Sequence, residues 1–396
     1  MKLQFSPSQR WPNVSEADWN SWTWQLRHSL KTQSDFSAHF ELSQDERAAF
    51  EAGKELFNIR ATPYYASLAG GPGESIRQIL MPHRFELSEG LQQMLDPLGE
   101  KKNNPVSRVI HRYSDRVLFL ITDICSVYCR FCTRKHFTGQ DQAFIKNEEY
   151  EAALNYIKSH PGIREVILSG GDPLTVSDAQ LDRVLGDLRA IDHVEIIRIG
   201  TRMPTVCPMR VTDDLVKILK KHKPVFLMSH FNHPNELTLE AATALEKLVD
   251  NGVPVMNQMV LLNGINNHPV IVQALNRRLL YLRVKPYYMF QCDPSQGTDH
   301  LRTSVEDSLE IQKEMWGHLS GLAMPNLSVD IPNGGGKTYF VPDFQVGQKG
   351  NVREFVGWDG VEAKYISPAP EKIKKPDITQ YAEEWQALKS SKTVKI

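Results

Sequence analysis

The chain has 396 residues, of which 41% are hydrophobic and 23% charged, the proportions of a globular protein. Lys and Arg (46) nearly balance Asp and Glu (47), so no global field invites nucleic acid or an anionic membrane surface. No apolar run approaches the ~20 residues that span a bilayer, and MKLQFSPSQRW at the start lacks the apolar core of a signal peptide.

The first hundred residues read as helical. Ser15 can cap a stretch carrying Trp19, Trp22, Trp24, Leu26 and Leu30, and Ser43 with Glu46 forms a capping box ahead of Ala48–Phe57. Gly70–Gly73 and the polar run Lys101–Pro105 separate this region from the next. From Arg116 onward, β-branched runs alternate with amphipathic segments. Strands are expected at Val117–Ile124, Glu165–Ser169, Val194–Gly200, Val225–Ser229, Val253–Leu262 and Pro286–Gln291. Helices are expected at Glu148–Lys158, Asp178–Ala190, Asp213–Lys221, Leu239–Asn251, Val270–Arg283 and Val305–Leu319. Six strand–helix units predict an α/β fold, a partial parallel (β/α)6 barrel, since a closed barrel needs two units more. The expected division is a helical N-terminal region (1–105), the barrel (106–322) and a C-terminal segment closing the site (323–396). From Pro368 the tail is Lys-rich and reads as a solvated surface segment.

Candidate functional residues fall where the strands end, the side on which parallel α/β folds build sites. Cys125-x-x-x-Cys129-x-x-Cys132 follows the first strand. Five cysteines in all, three of them in this loop, argue against a disulfide framework and suit a reducing, cytoplasmic setting. Structural zinc wants a closed set of four ligands, and only His136 stands near as a fourth. Three thiolates suit a [4Fe–4S] cluster with one iron open to a further ligand. Near the other end, Asp330-Ile-Pro-Asn-Gly-Gly-Gly-Lys337 carries three consecutive glycines, an entropic cost that signals unusual φ or close approach. The spacing is wrong for a P-loop.

CSVYCRFC resembles the signature of the radical S-adenosylmethionine superfamily. LSGGDPL, IRIGTRMP, HFNHPNE, KPYYMFQCD and DIPNGGGK, in that order, resemble the lysine 2,3-aminomutase family, over roughly 70–343. The resemblance implies a [4Fe–4S] cluster on Cys125, Cys129 and Cys132, S-adenosylmethionine, and pyridoxal 5′-phosphate bound as an imine to Lys337. It implies contacts to S-adenosylmethionine from Gly170, Gly171, Asp172, His230 and Gln258. Arg112, Tyr113 and Arg116 would contact the pyridoxal and its phosphate, and Tyr288 and Met289 would pack on the cofactors. Arg134 would bind the substrate α-carboxylate, and Asp293 with Asp330 the distal ammonium of lysine. The implied reaction is interconversion of L-lysine and β-lysine by a 5′-deoxyadenosyl radical. A guanidinium would also satisfy the two aspartates, so arginine is a rival substrate, and a non-catalytic iron–sulfur electron carrier is a rival of another class. The resemblance further implies an electron donor such as flavodoxin or ferredoxin and a homo-oligomer. The intersubunit zinc of some members is expected to be absent, because no cysteine follows Cys292.

Overall fold

The computed structural model describes residues 3–53, 58–88, 90, 92–135, 137–139 and 143–368. His136 and the lysines of the tail lie outside the described residues. The N-terminal region is built of short helices: α1 (Glu16–Trp19), α2 (Trp22–Arg27), α3 (Gln33–Ser37), α4 (Gln44–Ala52), α5 (Pro63–Ser67) and α6 (Ser75–Leu80). Ser15 caps α1 as expected, but Ser21 accepts from Trp24 N and starts α2, so the tryptophan-rich stretch is two helices rather than one. The capping box at Ser43 and Glu46 starts α4.

A nine-stranded sheet follows in simple order, β1 (Val109–Tyr113), β2 (Arg116–Thr122), β3 (Glu165–Gly170), β4 (Ile196–Gly200), β5 (Val225–Ser229), β6 (Val255–Leu261), β7 (Lys285–Gln291), β8 (Asn326–Ile331) and β9 (Gly336–Tyr339). Strands β2 to β8 are parallel, and antiparallel β1 and β9 form the two edges. The crossovers carry α7 (Asn147–Lys158), α8 (Asp178–Arg189), α9 (Met203–Val206) with α10 (Asp213–Lys221), α11 (Leu239–Asp250), α12 (Pro269–Tyr281) and α13 (Val305–Met315). All six expected strand–helix units are present, within two or three residues at most ends. The seventh parallel strand, β8, lies beyond residue 322 and joins the same sheet. A separate antiparallel sheet of β10 (Gln345–Lys349), β11 (Val352–Val356) and β12 (Glu362–Ile366) completes the described residues.

Each crossover helix buries one stripe; on α8 it is Leu181, Val184, Leu185 and Leu188, the i, i+3, i+4, i+7 spacing of a helix facing a sheet. Strands covered on their outer face read as continuous Val/Ile/Leu runs, such as Val166, Leu168, Ile197 and Ile199, all fully buried. Among the described residues, no helix is long and apolar enough to cross a membrane.

The N-terminal helices anchor the cysteine loop. Arg130, between the second and third cysteines, forms a bidentate pair with Glu86 (2.6 to 3.1 Å), both side chains at most 2% exposed. Backbone bonds from Tyr128 N to Arg60 O (3.0 Å) and Arg130 N to Ile79 O (3.3 Å) reinforce the junction. Without Arg130 the buried Glu86 keeps only the longer contact with Lys135 Nζ (3.5 Å), so Arg130→Met should cost about 3 kcal/mol. The midpoint of urea unfolding checks it, and an unchanged midpoint would contradict this account of the anchor.

Candidate active site

The cysteine loop leaves the end of β2 and is held against the end of β3. Gly171 N donates to Thr122 O (2.7 Å) and Asp172 N to Ile124 O (2.8 Å). A Cβ at Gly170, where φ is +122°, would meet Thr122 O at 2.2 Å, and one at Gly171 would meet Ile124 O at 2.3 Å. The paired glycines are therefore required by backbone approach. The Asp172 carboxylate points inward and accepts from Thr201 Oγ1 (2.6 Å), Arg202 N (2.7 Å) and Leu174 N (3.0 Å), joining the ends of β3 and β4.

Burial pushes the Cys125 thiol well up, and Cys132, Asp172 and Cys129 push it further; burial and Cys129 likewise raise Cys132. Thiolates crowded in this way need positive charge among them, which iron supplies. The donor set thus fits an iron–sulfur cluster. Arg202, at the end of β4, donates from Nη1 to Cys129 Sγ (2.7 Å) and from Nη2 to Glu236 Oε1 (2.5 Å) and Tyr65 OH (2.8 Å). This buried network was not legible as a site in the sequence, where Arg202 stands only as one residue of IRIGTRMP. His230 faces the same loop, its ring 5.4 Å from that of Phe131. Burial and then Arg202 bring its pKa down to about 3, so the imidazole is neutral, and its buried Nε2 has no protein partner. An orphaned nitrogen beside the cysteine loop suits a bound polar ligand such as S-adenosylmethionine. Gln258 is half-buried beside the irregularity in the β6–β7 register.

Across the opening stands the β8–β9 hairpin. Its turn takes positive φ at Asn333 (62°), Gly334 (79°) and Gly336 (84°), and a Cβ at Gly334 would meet Asn103 Nδ2 at 2.9 Å. The glycine run is therefore a tight turn, and its register sets Lys337 directly opposite Asp330. Lys337 Nζ donates to Asp330 Oδ1 (3.0 Å) and lies 5.3 Å from the centre of the Phe290 ring. Arg112 donates to Gly334 O and to Gly335 O (2.9 Å), and Tyr113 OH accepts from Lys337 N (2.9 Å). Both residues thus hold the lysine-bearing turn in place. Arg116 pairs with Asp115 (2.7 Å) and lies 4.0 Å from the centre of the Tyr113 ring. Tyr288 stacks on Phe290 (4.8 Å) and bonds Tyr339 OH (3.0 Å), giving the lysine an aromatic floor. Met289, next along the strand, points to the other face and is fully buried in the core. An amine over the Phe290 ring, on a turn held by Arg112 and Tyr113, fits pyridoxal phosphate. Phe290 escaped the sequence reading, although alternation from Tyr288 marks it.

Arg134 Nε and Nη2 form a bidentate pair with Glu100 (2.6 to 3.0 Å), and Nη1 donates to Ser169 Oγ (2.7 Å). Neither Glu100 nor Ser169 carried a local sequence signal. Asp293 follows β7, and its buried Oδ1 has no hydrogen-bond partner among the described residues. Burial and the facing Asp330 raise its carboxyl to about 7, against the opposing pull of Lys337 and Arg302.

The aspartate of an unfolded chain titrates near pH 3.9. Between about pH 4 and pH 7 the folded protein holds more protons at Asp293 than the unfolded chain does, so this group lowers stability as pH rises through that window and no further above it. Asp293→Asn should remove that part of the slope, measured as urea midpoints of ligand-free protein across the window. An unchanged slope would show that Asp293 titrates normally.

A family model described as "Radical SAM superfamily" matches residues 119–272, and one described as "Lysine-2,3-aminomutase" matches 312–395. The L-lysine 2,3-aminomutase of Clostridium subterminale is 42% identical over 358 residues, covering 90% of this chain and 86% of that protein. That of Fusobacterium nucleatum is 43% identical, with 90% and 84% covered. The glutamate 2,3-aminomutase of Clostridioides difficile is 38% identical, with 92% and 86% covered. This chain therefore belongs to the lysine 2,3-aminomutase family of the radical SAM superfamily, and it is an aminomutase, an isomerase whose family implies a [4Fe–4S] cluster, S-adenosylmethionine and pyridoxal phosphate.

Proposed function

We propose that the protein interconverts L-lysine and β-lysine. One observation carries the choice of lysine: the buried Asp293 Oδ1 lacks a partner while facing a second carboxylate, Asp330. A buried acceptor without a donor is costly, and a cation is what this pair lacks. In the ligand-free protein Lys337 Nζ balances one of the two carboxylates; once that amine is given to pyridoxal phosphate, the ammonium of a lysine side chain would supply the cation between them. The carboxylate of a glutamate substrate would meet like charges there and be rejected. Two of the similar proteins named above are lysine enzymes, which supports the same reading.

When bound, the cluster with S-adenosylmethionine would supply a carbon radical able to take hydrogen from an unactivated carbon, and pyridoxal phosphate would carry the amino group. Cys125, Cys129 and Cys132 would hold the cluster. Gly170, Gly171, Asp172, His230 and Gln258 would border S-adenosylmethionine, with His230 neutral throughout the physiological range. Lys337 would offer its amine to pyridoxal phosphate, with Tyr288 and Phe290 beneath it, Met289 supporting from behind, and Arg112, Tyr113 and Arg116 at its edge. Arg134 would fix the α-carboxylate, and Asp293 with Asp330 the far ammonium, so that the chain is held at both ends while its middle reacts. A one-electron donor of the flavodoxin or ferredoxin kind would reduce the cluster, and the enzyme would work as a homo-oligomer without intersubunit zinc.

Anaerobic incubation of the reconstituted protein with S-adenosylmethionine, pyridoxal phosphate and equal amounts of lysine, arginine and glutamate tests the substrate. β-Lysine should accumulate first; a β-amino acid from glutamate alone would overturn the assignment of the aspartates. Asp293→Asn should raise the KM for lysine at least about tenfold. In the wild type, affinity for lysine should strengthen as pH rises through about 7, because only the ionised carboxylate attracts the ammonium.

A further inference from the structure

Arg134 does not reach the site as a free cation. Its five N–H groups can be accounted for one by one. Nε–H and one N–H of Nη2 form the side edge of the guanidinium and are taken by Glu100, at 2.8 and 3.0 Å from Nε and 2.6 Å from Nη2. One N–H of Nη1 is taken by Ser169 Oγ at 2.7 Å. Among the described residues no acceptor takes the second N–H of Nη1 or of Nη2, so Arg134 keeps donors for a carboxylate.

Glu100 is poorly placed to swing away. Its side chain is 8% exposed, and it sits in a turn capped by Asp96, whose carboxylate accepts from Glu100 N (2.9 Å) and Lys101 N (2.9 Å). Asn103 closes the same turn by donating to Gly99 O (2.8 Å). The turn also touches the hairpin that carries Lys337. Asn333 N donates to Pro97 O (3.0 Å), and a Cβ on Gly99 would meet Gly334 N at 2.7 Å. One short turn therefore contacts both Arg134 and the loop before Lys337. On the reading above, Arg134 receives the substrate α-carboxylate, and Lys337 carries the pyridoxal phosphate that takes the amine borne by the same carbon.

We propose that Glu100 is a positioning residue for substrate binding: it holds Arg134 with its outer edge presented to the α-carboxylate, at a separation from Lys337 fixed by the 96–103 turn. The proposal rests on the assignment of Arg134 to the α-carboxylate. It makes selectivity for a free α-carboxylate depend on a residue that does not itself touch the substrate.

Two variants test it from opposite sides. Glu100→Asp keeps the charge but withdraws the carboxylate by one methylene, so the two-pronged pair on Arg134 cannot form in place. Glu100→Gln keeps the length but sets an amide N–H₂ against a guanidinium N–H, which turns Arg134 aside. Binding of lysine and of 1,5-diaminopentane, which is lysine without its carboxylate, is measured by calorimetry on each protein holding its cofactors. Both variants should weaken lysine by about tenfold while leaving the diamine unchanged. Equal weakening of both ligands, or no weakening of lysine in either variant, would overturn the proposal. Arg134→Gln measured in parallel separates the two levels. If it weakens lysine and diamine alike, the assignment of Arg134 fails and takes the proposal with it. If it weakens lysine alone while the Glu100 variants bind normally, only the proposal for Glu100 fails.

Discussion

The ends of β2 and β3 come so close that only hydrogen fits between them. Gly171 N and Asp172 N donate to Thr122 O and Ile124 O, and any side chain at Gly170 or Gly171 would strike those carbonyls. This contact fixes where the cysteine loop begins, and Arg130 with Glu86 fixes it at the far side. Ser169, one residue before the glycines, meets Arg134, two residues beyond the last cysteine. The placement of the thiols and of Arg134 thus follows from a single approach of two backbones. Parallel strands make this possible because their carboxyl ends all emerge on one side.

Charge in the site is organised by pairs, with a gap at Asp293. Arg130 with Glu86, Arg202 with Glu236 and Arg134 with Glu100 are each matched at bonding distance. Such pairs add little net stability once desolvation is counted, but each gives its arginine one orientation. Asp293 breaks the pattern with an acceptor that nothing among the described residues satisfies. A binding pocket is recognisable by such a gap, since a protein with no use for it would fill it with a donor or an apolar side chain.

Much of this architecture is written locally. The Val/Ile runs of β2 to β6 and the capped amphipathic helices α8, α10 and α11 follow from period and cap chemistry, and their observed ends lie close to the expected ones. Edge strands were not legible. VIHRY of β1 carries two polar residues in five, and β8 with β9 is interrupted by a turn whose glycines dominate the pattern. The cysteine spacing was legible because metal chemistry constrains ligands close in sequence. The partners of Arg134 and Arg202 were not, because Glu100 lies 34 residues from Arg134 and Tyr65 lies 137 residues from Arg202. Contacts of that range leave no period to read.

The cross-strand pairing of Asp330 with Lys337 has a bearing on how substrate preference could drift within this family. Asp330 Oδ1 accepts from the Lys337 amine, whereas Asp293 Oδ1 has no donor among the described residues. On the proposed roles, a change at Asp330 would alter the lysine's surroundings along with the pocket and slow turnover of every amino acid, whereas a change at Asp293 would alter the pocket alone. Paths from a cationic to a neutral or acidic substrate would then be ordered, with position 293 free to vary first and position 330 following only after the lysine has found other support.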